Sequence, residues 1–393
     1  MTVKQLWLTD FRNHREIDLS LDPGVTVVVG TNGRGKTNII EALVWMARGM
    51  SFRGAPTEAL VRGGAERAFI RAEVETAGRT VLLEAELVAS GRNRIQINRQ
   101  RVTRLRDLLG HFRATVFGPD DLRLVKGGPG DRRGWIDDLL VDLHPGNHVL
   151  RGDLDRILRQ RNTLLKQARG RSTPEVETTL DVWDAQLIKV GEQLASARRE
   201  VLTRLIPEVE VLMNALTSGR SRMNMQMVDQ WSSEGLKAAL ATARPDDLRR
   251  GVTTVGPHRD EILFSLDDMP ARTHSSQGEQ RSIVLALRLA GHRLVADRTG
   301  SEPVVLLDDV FSELDSGRCA ALVDLLPSTQ AVVTSAGMVP EGVDAGVVLY
   351  LDDLIPTSVR STVTNDRGPV PLRRSLERLL EGMGSPRIDD TKM

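Results

Sequence analysis

The stretch Gly30-Thr31-Asn32-Gly33-Arg34-Gly35-Lys36-Thr37 fits the phosphate-binding pattern G-x-x-x-x-G-K-[ST] at every fixed position. Its flanks suit it. Val25-Thr26-Val27-Val28-Val29, behind the Pro23-Gly24 turn, has the β-branched run of a buried parallel strand, and Asn38 to Met46 has the pattern of a helix. In that context glycines let backbone N–H groups close around phosphates, and the helix N-terminus adds partial positive charge. Residues Gly30, Thr31, Asn32, Gly33, Arg34, Gly35, Lys36, Thr37 and Asn38 are therefore expected to cradle a nucleotide. Lys36 would reach the β- and γ-phosphates, and the Thr37 hydroxyl would hold magnesium. A glycine-rich turn that binds nothing is the bland alternative, and the strand-loop-helix setting disfavours it.

A phosphate-binding loop fits kinases, GTPases and many ATPases, so the rest of the constellation must decide. Val304-Val305-Leu306-Leu307-Asp308-Asp309 is an apolar strand ending in acids. It would set Asp308 beside the loop to complete a magnesium shell, with Asp309 placed to orient or deprotonate an attacking water. The two segments lie far apart in the chain. Whole substructures must be inserted between strands that end up side by side.

Composition narrows the class. The chain has 393 residues, 27% charged and 40% apolar, long enough for two or three cores. Formal net charge is zero, so a nucleic-acid contact must rest on local basic patches. Aromatics are only 3%, which argues against stacking platforms for single strands. Cys319 is the single cysteine, excluding an internal disulfide and any cysteine zinc cluster. No apolar run approaches membrane-spanning length, and Asp10 stands where a signal peptide needs its apolar core. A cytoplasmic protein with no membrane partner is expected.

Along the chain, Val3 to Leu21 reads as two strands joined by the charged turn Asp10-Phe11-Arg12-Asn13-His14. Phe69–Val74, Thr80–Ala85 and Arg94–Ile97 read as antiparallel strands, the last hairpin crowded with Arg92, Arg94, Arg99, Arg101, Arg104 and Arg106. That hairpin is either a solvated face or a DNA-facing patch. From Leu150 the pattern turns helical. After a break at Gly170 to Pro174, Leu180, Trp183, Leu187, Val190, Leu194, Ala197 and Val201 alternate steps of three and four, the spacing of a helix packed lengthwise on a partner. A helical hairpin of modest length follows. A loose stretch is expected at Ser232 to Asp247, and strands at Val252–Val255 and Ile262–Leu266. Ser276 and Glu279 are spaced as a capping box opening a helix that reaches Leu294, and Ala331–Thr334 reads as a further parallel strand. Leu372 to Leu380 looks helical within a polar tail.

Ser275-Ser276-Gln277-Gly278-Glu279-Gln280 resembles the signature motif of ABC-type ATPases. The chemistry is anion binding by free N–H groups, a serine hydroxyl and the helix dipole. The resemblance implies that Ser276, Gln277, Gly278 and Glu279 serve the ATP of a second subunit, and that Ser312-Glu313-Leu314-Asp315 runs along the dimer interface, with Ser312 and Asp315 as its contact residues. Within that superfamily the chain is similar to the RecF family, relatives of the chromosome-maintenance and Rad-type heads. The likeness rests on Phe11-Arg12-Asn13-His14, Gly30 to Asn38, Ser51-Phe52-Arg53, Phe117 to Leu122 with Lys126-Gly127, Gln160-Arg161-Asn162, Gly256-Pro257-His258-Arg259-Asp260, Ser275 to Arg281 and Leu306 to Asp315.

This resemblance implies an α/β fold. An ABC-type P-loop ATPase head, with parallel core sheet and antiparallel subdomain, would span residues 1–145 and 251–370, interrupted by a helical arm at 146–250 and followed by a flexible tail at 371–393. It implies a weak, DNA-dependent ATPase using ATP and Mg2+. Such a protein is a clamp that dimerises on ATP at gapped or junction duplex DNA, acts with RecR- and RecO-type mediators, and helps to load RecA. Arg12 becomes a candidate phosphate contact, and Arg53, Arg92, Arg94, Arg132 and Arg133 candidate DNA contacts. Departures exist: Glu279 stands where the family often has glutamine, and Gly118 where it often has serine. Thr334-Ser335 stands where transporter motors carry a histidine, which favours the repair branch over a transporter. A chromosome-tethering ATPase would need longer coiled coils.

Overall fold

In the computed structural model, the strands are β1 (Thr2–Phe11), β2 (His14–Ser20), β3 (Val25–Val29), β4 (Arg67–Thr76), β5 (Arg79–Val88), β6 (Arg94–Ile97), β7 (Gln100–Val102), β8 (Ala114–Phe117), β9 (Met223–Val228), β10 (Glu261–Leu266), β11 (Met269–Pro270), β12 (Val304–Asp308), β13 (Ala331–Ser335) and β14 (Val347–Tyr350). The structure describes residues 1–327 and 329–354. The expected Leu372–Leu380 helix and the tail from 371 lie outside the described residues.

The central sheet runs β14-β3-β13-β12-β8, and its pairings are parallel throughout. Successive side chains of a strand face opposite sides, so a strand buried on both faces must be apolar at every position. This explains the unbroken run Val304–Leu307 and the run Val25–Val29, interrupted only by Thr26, whose hydroxyl accepts from the Asp22 N–H at 2.9 Å. Val304, Leu306, Val332, Val28 and Val116 enter one core. Val305, Leu307, Val333, Val27 and Phe117 enter the other. The first core lies under the helix Lys36–Arg48 and the antiparallel sheet β2-β1-β4-β5-β6-β7. The second lies under the helix Gln277–Thr299.

The arm is a helical pair, Asn147–Ala168 and Pro174–Thr217, turned at Arg169 and Gly170 with φ of 50° and 77°. Leu180, Leu187, Leu194 and Val201 are buried as the heptad reading requires. The second helix does not stop there. It has 44 residues and continues through Pro207, roughly 66 Å at 1.5 Å per residue. Its final turns place Leu205, Val209, Leu212 and Leu216 in the second core. One element therefore belongs to both the arm and the body beneath it.

Two local expectations are corrected, and one strand was not anticipated. Val252–Val255 is not a strand: the Thr253 N–H donates to Asn162 Oδ1 at 2.7 Å and the Thr254 N–H to Asp247 Oδ1 at 2.9 Å. With its backbone donors taken by side chains, the segment has no ladder to join. The stretch read as loose holds the helix Leu236–Arg250. Met223–Val228 forms β9, antiparallel to β10, with Met223 and Met225 turned inward. Among the described residues, no helix is long and apolar enough to cross a membrane.

Candidate active site

The phosphate-binding loop leaves the carboxyl end of β3 and enters the helix Lys36–Arg48 at the edge where open parallel sheets place ligands. Gly33 and Gly35 have φ of 84° and 101°, values that side chains resist. Gly35 is also closely covered. A Cβ there would stand 2.4 Å from Asn13 Oδ1 and 2.5 Å from His14 Nε2.

Those two residues, from the turn between β1 and β2, brace the loop. Asn13 Nδ2 donates to the Arg34 carbonyl at 3.0 Å, and Asn38 Nδ2 donates to Asn13 Oδ1 at 2.7 Å. His14 Nε2 lies 3.0 Å from the Gly35 carbonyl. Burial lowers the His14 pKa, favouring the neutral ring, and because a carbonyl only accepts, Nε2 carries the proton. Lys36 Nζ folds over the loop, donating to Gly30 O at 2.6 Å and Thr31 O at 3.2 Å, with Asn32 Oδ1 at 3.4 Å. Arg34 is exposed and paired with Asp352 at 2.9 Å. In the first turn of the helix the Asn38 and Ile39 N–H groups already donate to the Gly35 carbonyl, at 2.9 and 3.3 Å, so an anion has the N–H groups that come before them.

Parallel register supplies the acid. Asp308 stands opposite Thr334, and Thr334 opposite Val28 at the end of β3. Asp308 Oδ1 accepts from Thr37 Oγ1 and from Thr334 Oγ1, both at 2.9 Å. The Thr334 hydroxyl accepts in turn from the Asp309 N–H at 2.9 Å. Burial raises the Asp308 pKa; the two hydroxyl bonds and the charge of Arg53 pull it back, and Asp309 pushes it further up. Asp309 itself has φ of 54° and ends the strand.

Thr37 Oγ1 and Asp308 Oδ1 are hard oxygen donors side by side. One hydroxyl and one carboxylate suit magnesium, which keeps several waters and takes phosphate oxygens. Among the described residues, no cluster of three or more His, Cys, Asp or Glu side chains could cage a metal.

The capping box is present. The Glu279 N–H donates to Ser276 Oγ at 3.3 Å, and the Ser276 N–H to Glu279 Oε2 at 2.7 Å. Gln277 and Gly278 fill the first turn. Ser312 Oγ donates to the Asp309 carbonyl at 2.8 Å, and Asp315 Oδ1 caps the helix Ser316–Leu325 by accepting from the Arg318 N–H at 2.9 Å.

The arginines divide. Arg12 grips the fully buried Glu41 through Nε and Nη2, both at 2.7 Å, and Ser51 Oγ donates to the same carboxylate at 2.5 Å. Arg53 and Arg92 are exposed, and Arg94 lies 3.4 Å from Glu86. Arg132 is corrected: it is 6% exposed, holds Glu261 at 2.8 and 3.2 Å, and donates to the carbonyls of Leu124 and Gly127. A guanidinium so occupied does not serve a DNA phosphate. Arg133, half-buried, donates to the Asp260 carbonyl at 2.6 Å. His258 is likewise internal, with Nε2 3.1 Å from the Thr253 carbonyl.

Sequence reasoning gave no role to Asn13, His14, Glu41 or Arg318. Thr334 was visible only as the end of a strand and as a missing histidine. For Asn13 and His14 the signal was their place in the Phe11–His14 segment, directly before the strand pair that leads to the loop.

Comparison with known proteins agrees with this geometry. The RecF/RecN/SMC N terminal domain family model matches residues 2–339. The DNA replication and repair protein RecF of Streptomyces avermitilis is 43% identical over 352 residues, covering 86% of this chain and 94% of that protein. That of Renibacterium salmoninarum is 40% identical over 375 residues, with the same coverage. Among solved structures, the recombination mediator protein RecF with ATPrS, of the RecFOR pathway, superimposes with a TM-score of 0.81 at 26% identity, covering 89% of this chain and 95% of that one. The Smc head bound to the C-winged helix domain of ScpA shares the fold, with a TM-score of 0.51 at 16% identity over 85% and 90% of the chains. The fold is thus that of an ABC-type ATPase head, and the chain belongs to the RecF family of DNA replication and repair proteins.

Proposed function

We propose that the protein is an ATP-dependent DNA-binding clamp of recombinational repair and replication. It dimerises on ATP at gapped or junction duplex DNA, works with RecR- and RecO-type mediators in the cytoplasm, and helps to load RecA. Slow, DNA-dependent ATP hydrolysis resets it. The observation that carries this reading is the meeting of Thr37, Asp308 and Thr334 around one carboxylate oxygen beside Lys36. Likeness to RecF with ATP, at a TM-score of 0.81 and 26% identity over 88% of this chain and 95% of that one, supports the choice of nucleotide.

On this reading the loop from Gly30 to Asn38 closes on the phosphates with the N–H groups its own turns leave free, and Lys36 shifts from the Gly30 carbonyl onto the β- and γ-oxygens. Thr37 and Asp308 would hold magnesium, which would supply neutralisation of phosphate charge. Asp309 orients or deprotonates the attacking water, and Arg12, on the turn that also carries Asn13 and His14, contacts phosphate. Ser276 to Glu279 grip the ATP of a second copy, and Ser312 and Asp315 lie along the joint. Arg53, Arg92 and Arg94 contact DNA. The head comprises residues 1–145 and, of the expected 251–370, the described part to 354, with the arm between.

The test is the solution mass of an Asp309→Asn variant with and without ATP and magnesium, and with gapped duplex DNA. A monomer that becomes a dimer on ATP and then retains DNA is expected. A protein that binds ATP, stays monomeric and ignores DNA would remove the clamp reading and favour a motor subunit awaiting another partner.

A further inference from the structure

Within one chain, the signature turn and the loop after Asp309 are tied together by two arginines that cross in opposite directions. From the loop side, Arg318 Nε donates to Ser282 Oγ at 2.9 Å, and Ser282 Oγ donates to the Gly278 carbonyl at 3.2 Å. Arg318 Nη1 pairs with the Asp315 carboxylate. From the helix side, Arg281 Nη2 lies 3.1 Å from Glu313 Oε2, and Nη1 donates to the Glu313 carbonyl. Gly278 completes the fit. A Cβ there would stand 2.9 Å from Arg318 Nη1 and 3.0 Å from Nη2, so glycine leaves the guanidinium room to lie on the turn.

An exposed pair three residues apart, such as Asp315 and Arg318, ordinarily adds a few tenths of a kcal/mol to its own helix. That would explain the Asp315 contact. It does not explain the bond to Ser282 on another helix, or the space kept at Gly278. A planar guanidinium can serve Asp315 and Ser282 at once because its donors point in fixed, separate directions.

We propose that Arg318 is a positioning residue of the composite ATP site. It holds Asp315 and the turn Ser276–Glu279 as one rigid unit, so that a second copy of the chain meets both already ordered. This rests on the dimer reading above. Its benefit is pre-organisation: without Arg318 the two segments must be ordered during association.

The test separates nucleotide binding from dimerisation. Monomer affinity for ATP and the ATP-dependent dimer constant are measured for the wild type, Arg318→Ala, Arg318→Lys, Asp315→Asn and the Asp315→Asn/Arg318→Ala double variant. Since Arg318 bonds to Ser282 and Asp315 and not to the phosphate-binding loop, ATP affinity should stay within about twofold, while Arg318→Ala weakens dimerisation on the order of tenfold. Lysine should not rescue, because one ammonium cannot span Asp315 and Ser282. The double variant should be no worse than the poorer single one. Arg318→Lys also keeps the Asp315 pair if Arg318→Ala folds badly. Wild-type dimerisation in Arg318→Ala or Arg318→Lys overturns the inference; a wild type that does not dimerise on ATP overturns the clamp reading instead.

Discussion

The arm base and the sheet edge use the same side-chain types to opposite ends. At the arm base, Arg161 is fully buried and donates to Asp184 at 2.6 Å, Asp247 at 2.6 Å and Thr253 at 2.9 Å. Arg198 there takes both oxygens of Asp137 at 2.8 Å and the Pro257 carbonyl at 2.7 Å. Each guanidinium meets a carboxylate from a different segment, so the charges cancel inside the protein. At the sheet edge, Asp308 is answered by two hydroxyls and Lys36 by carbonyl and amide oxygens. Dipoles soften a charge without cancelling it. A charge met by a counter-charge is architecture, whereas a charge met by dipoles remains available to a ligand. Arg132, which from sequence resembled a DNA contact, falls on the architectural side through Glu261.

The largest effect should come from the arm base. Arg161→Ala leaves Asp247 buried without its cation and Asp184 with Arg244 alone, at 2.6 Å, and should cost about 3–5 kcal/mol, read by urea unfolding. A loss under about 1 kcal/mol for the alanine variant would break the comparison, since exposed pairs cost that little.

Next is a buried group that is cancelled by nothing. His292, 3% exposed with Nδ1 3.1 Å from Thr115 Oγ1, is held by burial down to about 4. Its folded pKa lies below the unfolded 6.5, so the unfolded chain takes up the proton first. Stability is therefore lost as pH falls from about 6.5 towards 4, by up to about 3 kcal/mol. His292→Gln should flatten that stretch of the curve.

At the site, Thr334→Ala removes a donor to Asp308 and an acceptor from Asp309, and should cost about 1–3 kcal/mol. Asp308 would rise further. Because its folded pKa already lies above the unfolded value, more of the variant's stability should be lost as pH climbs past 3.8. An unchanged pH profile would show that the hydroxyl does not tune the carboxylate. The smallest effect on stability, within about 0.5 kcal/mol, is expected for Arg92→Gln and Arg101→Gln, both exposed. If they face DNA, each should lower the slope of log affinity against log salt by about one.

What could be read from the sequence was local. The phosphate-binding loop, the strand into Asp308 and the capping box each lie within about ten residues, and each has a composition that little else demands. What escaped depends on partners distant in sequence. Val252–Val255 has strand-like residues, but Asn162 and Asp247 had already claimed its N–H groups. The helix Leu236–Arg250 was hidden by Pro245 within it. β9 carried a readable alternation of inward Met with outward Asn and Gln. Asn13 and His14 stand close to the loop in sequence, yet their grip on it appears only when β1 and β2 fold back beside it.

The pairing order of the central sheet also sets a timetable for synthesis. β3 pairs with β13 and β14, and β8 with β12. The outer sheet needs only residues up to Val102 and can close early. At roughly 5–20 residues per second, β3 waits roughly 15–60 s on the ribosome before its neighbours emerge. For that interval Val25-Thr26-Val27-Val28-Val29 is an apolar strand with both edges open, the kind of segment that recruits chaperones or seeds aggregation. A message with slow codons before Ala331 would lengthen that exposure without changing one residue of the finished protein.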